Sequence, residues 1–165
     1  MIDRMERFPA TLAPLLTDID PADARFKPPS GAWSILEIVR HLGDEEVDDF
    51  RARVRSTLDD PTRPWSPIDP EGWARDRRYN DDDLVEALRR LGAERAASVA
   101  WLRSLDDVDW SLAYTHPKAG PIAAGDVMLS WAAHDSLHLR QISKRLYELT
   151  LRDAPDFSAD YAGAW

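Results

Sequence analysis

There is no cysteine in the 165 residues. This chain can form no disulfide, offers no thiolate to a metal and has no Cys nucleophile. Nor has it a run of about 18 apolar residues, so no segment reads as a transmembrane helix. The opening stretch "MIDRMERFPATLAPLL" lacks the basic segment and long apolar core of a signal peptide, which gives a cytoplasmic expectation. Positive charge is scarce: 21 Lys and Arg stand against 30 Asp and Glu, a net charge of −9 at pH 7. A surface of that sign repels phosphate backbones, so a nucleic-acid role is disfavoured, while small-molecule substrates stay open. Internal repeats and low-complexity tracts are absent, and the length suits one domain over residues 1–165.

What is present is helical periodicity. Four patterns stand out, separated by segments rich in Pro or containing Gly. The first runs from about Met5 to Thr17, with Phe8, Leu12, Leu15 and Leu16 at helical spacing; Pro9 fits a first turn and Pro14 weakens the middle. The second opens on a capping box, Ser34 to Glu37, and carries Ile35, Ile38, Val39, Leu42, Phe50 and Val54 to about Leu58. The third takes Asn80 as N-cap, with Asp81, Asp82 and Asp83 in the first turn, and reaches about Ser104. The fourth runs from near Asp126 to about Leu149. No segment shows sustained strand alternation. The expectation is an all-α four-helix bundle with long crossover loops at residues 59–80 and 105–125.

The last pattern contains "HDSLHLRQI", with His134 and His138 four residues apart. At 3.6 residues per turn the two rings point the same way, offset by roughly 40°, and can both reach one ion. Gln141 shares that flank and could orient a ligand or bind substrate. His41 lies among Ile38 and Leu42, so it faces inward and could supply a third ligand; Glu45, one turn on, could be a fourth ligand or a proton acceptor. Packed, hydrogen-bonded rings remain the alternative for all three histidines. His116, in "YTHPKAG", reads as a solvated loop residue, and Asp44, in "GDEEVDD", as part of a solvated acidic face. There is no HExxH and no Glu-x-x-His pair, which excludes the zinc-protease arrangement and the di-iron carboxylate bundle.

"RFKPPSGAWSILEIVRHLGDEE" and "HDSLHLRQI", in that order and separation, resemble the DinB-like superfamily, which includes metal-dependent hydrolases and low-molecular-weight-thiol S-transferases. The resemblance spans most of the chain. It implies an up-down-down-up four-helix bundle, and one divalent ion held by His41, His134 and His138; the metal varies within the family, and Zn or Ni is the expectation here. It also implies a homodimer, for which the tail aromatics Tyr161 and Trp165 are candidates. Asp135 departs from the Glu common in the family at that position. Three neutral ligands leave an ion its full charge and an open position, where it can acidify water or hold a thiol as thiolate. With no Cys in the chain, such a thiol is a diffusible cosubstrate. The expected function is a metal-dependent hydrolase or thiol S-transferase acting on a small molecule. Glu45 is its proton acceptor, and Trp65 and Trp73 cover the pocket. The alternative is a non-catalytic metal-binding bundle with a structural or partner-binding stress role.

Overall fold

The computed structural model describes residues 1–163 and 165. Helix α1 (Ile2–Leu16) starts three residues earlier than its pattern suggests, so Pro9 is internal rather than in the first turn, and the helix continues through Pro14. A short α2 (Pro21–Ala24) follows. The second long rod is continuous from Ile35 to Asp59 but not uniform: α3 (Ile35–Glu45), a π-helical stretch (Glu46–Arg51) and α4 (Ala52–Asp59). Its start is the capping box read from sequence, with Ser34 Oγ accepting from the Glu37 N–H (3.1 Å) and Glu37 Oε2 from the Ser34 N–H (2.8 Å). Helices α6 (Leu84–Ser104) and α7 (Ala124–Asp153) complete the bundle. The N-cap of α6 is Asp83, not Asn80: Asp83 Oδ1 accepts from the Glu86 N–H. Asn80 sits in a 3-10 turn (Tyr79–Asp81), where it bonds Ser34 Oγ and the Arg25 carbonyl. In "NDDD" every residue is a competent cap, and the tertiary pull on Asn80 shifts the start to the last of them.

Ion pairs along the rods give the topology. Asp3 and Glu6, at the start of α1, meet Arg103 at the end of α6, so these two run antiparallel. Asp44, Glu46 and Arg51 meet Arg90, Arg95 and Ser98 in ascending order, so the second rod and α6 run parallel. His41 meets His138 while Glu46 meets Trp131, so α7 runs against them. The order is up-down-down-up. A parallel pair of neighbours needs a connection spanning the whole bundle, which is the work of residues 60–83, including α5 (Pro70–Asp76). The α6–α7 connection carries a hairpin, β1 (Ala113–His116) and β2 (Gly120–Ala123), too short for an alternation signal. The tip residue His116 accepts from the Lys118 and Ala119 N–H groups.

The core has two apolar ends. One gathers Phe8, Leu12, Ile38, Leu42, Leu91 and Ile142; the other gathers Met5, Phe50, Val54, Leu102, Met128 and Trp131. Between them, on every long helix but α1, the inward positions turn polar: His41, Glu45, Glu46, Arg95, Asp135 and His138 are all buried. Burying that many ionisable groups mid-core is costly unless each is paired or put to use.

Candidate metal centre

Three imidazoles converge in this layer. His138 Nε2 lies 2.9 Å from His134 Nε2 and 3.1 Å from His41 Nε2. The α7 pair comes from i, i+4 spacing; His41 is delivered from the antiparallel rod, 97 positions away in sequence. His138 Nδ1 is 2.8 Å from Gln141 Oε1, which only accepts, so the ring proton belongs on Nδ1 and a bare lone pair on Nε2. Two other nitrogens crowd that lone pair, and a neutral ring has only one N–H to give. His41 Nδ1 is buried without a hydrogen-bond partner. The donor set fits a small divalent cation: metal–nitrogen bonds of about 2.05 Å in tetrahedral geometry put neighbouring nitrogens roughly 3.3 Å apart.

The electrostatics favour the ligating form. Burial pushes the His41 ring down to about 3, with the His138 ring acting in the same sense. Burial, then the other two histidines, push His134 down to about 2. His138 is lowered by burial against the opposing hydrogen bond to Gln141. All three are neutral at pH 7 and hold their lone pairs free.

Glu45 is the carboxylate on this cluster. Its Oε2 is 3.4 Å from His134 Nε2 and its Oε1 is 3.8 Å from His41 Nδ1. Burial, then the charge of Asp49, push its carboxyl up to about 7, against the pull of Arg53. The π-helical stretch begins directly after it. Glu45 and, within the π-helical stretch, Glu46, Asp49 and Phe50 all face inward, and the wider turn gathers them onto a narrower face than a regular helix would. Trp33 packs on His41, ring centres 4.7 Å apart, and Phe50 on His134 at 4.9 Å; together they keep two sides of the cluster dry.

A second buried network lies beside the first. Arg95 holds Asp135 through both terminal nitrogens (2.7 and 2.8 Å), Glu46 through Nε (2.9 Å) and the Met5 carbonyl. Trp131 Nε1 donates to Glu46 at 2.8 Å. Asp135, the residue after His134, is therefore tied to α6.

Other residues singled out from sequence lie elsewhere. Asp44 is no solvated acid: it is 1 % exposed and takes hydrogen bonds or ion pairs from Tyr79, Arg77 and Arg90. Trp65 packs on Tyr114 and under Arg53 and donates to Thr57, and Trp73 packs against the Arg77 guanidinium. Among the described residues, the indole against the histidines is Trp33, in the "GAWSI" lead to α3.

With this geometry in view, likeness to known proteins carries weight. The family model for the DinB superfamily matches residues 4–142. The Bacillus subtilis (strain 168) protein YfiT is 24% identical over 120 residues, which cover 70% of this chain and 67% of YfiT. The solved structure of YfiT, described as "a probable metal-dependent hydrolase with an unusual four-helix bundle topology", superposes with a TM-score of 0.72 at 22% identity. It covers 88% of this chain and 85% of that one. At that identity the likeness is one of fold. No helix among the described residues is long and apolar enough to cross a membrane.

Proposed function

The chain belongs to the DinB superfamily, and from that premise we propose that it is a metal-dependent hydrolase acting on a small molecule. One divalent ion, Zn or Ni, would be held by His41, His134 and His138. The observation that carries this reading is the convergence of three imidazoles, two buried and His134 half-buried, on one point, with a buried carboxylate 3.4 Å away. When bound, such an ion supplies Lewis acidity and an open coordination position.

The chain's own residues do the rest. Gln141 fixes the tautomer of His138, so that Nε2 faces the centre. Glu45 takes up the proton released from the nucleophile and returns it to the leaving group. Trp33 and Phe50 exclude water from two sides. A cation among the imidazoles would draw the Glu45 carboxyl back down, so that it accepts a proton at neutral pH. A thiol-dependent transfer would use the same centre with a diffusible thiol as nucleophile.

The test is hydrolysis of an activated ester, para-nitrophenyl acetate, by zinc- or nickel-loaded protein. Turnover should vanish with chelator and return with metal. Glu45→Gln should keep the metal and lose about 10²- to 10⁴-fold in rate. Turnover that survives chelation contradicts the reading.

A further inference from the structure

His134, His138, Gln141 and Arg145 follow one another at spacings of four, three and four, so a single stripe of α7 leads away from the histidines. Beside that stripe is a cavity of about 790 Å³. Two of its walls are residues already in contact with the cluster: Trp33, packed on His41, and Gln141, bonded to His138. Beyond them its lining turns cationic, with Arg140, Lys144 and Arg145 against a single carboxylate, Glu71. This local excess of positive charge stands out in a chain of net charge −9.

Two of the three cations are not consumed by the fold. Arg140 and Lys144 have no ion-pair partner among the described residues; Lys144 lies over the Tyr147 and Trp165 rings. Arg145 is 8 % exposed. Its Nη2 meets Glu148 at 2.9 Å and its Nη1 reaches the Trp33 carbonyl at 3.5 Å, but its buried Nε has no hydrogen-bond partner. Arg145 is thus held by the fold, which leaves Arg140 and Lys144 as the two cations free to meet an anion in the cavity.

We infer that this cavity is the anion-binding subsite of the proposed hydrolase, and that its substrate is an acidic small molecule bearing a carboxylate or phosphate. The inference rests on the metal-dependent reading for the reaction, but not for the pocket. Six or seven residues of helix separate His138 from Lys144 and Arg145, about 10 Å along the axis at 1.5 Å per residue. The substrate's acidic group would therefore sit about two helical turns from the bond to be cleaved, with the intervening atoms lying along Trp33 and Gln141. Glu71 would repel a second negative charge on that side and favour a donor there.

The experiment measures binding of succinate and of inorganic phosphate, with uncharged succinamide as control, to metal-loaded protein at low salt. Metal content is measured on the same samples. Succinate or phosphate should bind, and whichever is tighter identifies the acidic group; succinamide should not. The double variant Arg140→Gln/Lys144→Gln, surface changes checked by unaltered helical circular dichroism, should weaken binding about tenfold or more with metal content unchanged. His138→Ala should lose metal and retain anion binding. No binding to the wild type, or no change in the double variant, overturns the pocket. So does binding lost in His138→Ala but intact in the double variant, because the anion would then sit on the ion. Protein that takes up no metal yet binds succinate through Arg140 and Lys144 keeps the pocket and removes the hydrolase.

Discussion

Arg95 grips Asp135 with both terminal nitrogens, at 2.7 and 2.8 Å, and so ties the residue next to His134 to α6 across the bundle core. Arg95 is 2 % exposed, and its other partner, Glu46, is as deeply buried. Removing the cation strands two carboxylates in the core. Arg95→Met should cost about 3–5 kcal/mol of unfolding free energy, read from urea titration. Replacing Glu46, Arg95 and Asp135 together with apolar residues of similar volume should cost much less. If the single variant costs under about 1 kcal/mol, the network is not the brace it is taken for here.

A pH dependence follows from Asp44. Burial acts to raise its carboxyl, but hydrogen bonds from Tyr79 and Arg77 and the charge of Arg90 outweigh that and hold it below its ordinary 3.8. A carboxyl lowered by folding adds stability in full above its unfolded value and loses it as pH falls through the folded one. The stability gap between the wild type and Asp44→Asn should therefore be constant from pH 7 to about pH 5 and close below pH 4. A gap that stays constant down to acid unfolding contradicts the assignment. Tyr79→Phe, which removes one donor to the buried charge, should cost about 1.5–3 kcal/mol at pH 7.

In the proposed centre Gln141 would act on the metal through His138. Gln141→Ala frees the His138 ring to turn or to change tautomer while leaving all three histidines in place. Metal affinity, measured by competition with a chromogenic chelator, should fall about 10- to 100-fold with no change in helix content. An unchanged affinity would mean that packing alone, from Trp33 and Phe50, orients the rings.

Much of this was legible in the sequence, for physical reasons. His134, His138 and Gln141 share a helix, where spacing alone fixes which side chains meet. His41 carried a weaker signal, its apolar neighbours. What joined it to the other two was the resemblance in motif order, and the antiparallel packing of the two rods brings it there. Asp44, Glu46 and Arg95 could not be read, because a charge run looks the same whether solvated or paired, and their partners lie 33 to 90 positions away. The π-helical stretch has no periodicity of its own over six residues, so the sequence pattern points Glu45 inward with His41 but gives no sign that Glu46 is buried beside it. Trp33 lies in the non-helical lead to α3, where spacing carries no information about which side chains meet.

The central claim is that the three histidines hold a metal ion. Elemental analysis of purified protein, loaded with zinc or nickel and then desalted, tests it most directly. The account predicts about one divalent ion per chain in the wild type and a near-total loss in His138→Ala. Wild-type protein that retains no metal, or a His138→Ala variant that keeps full occupancy, would contradict it.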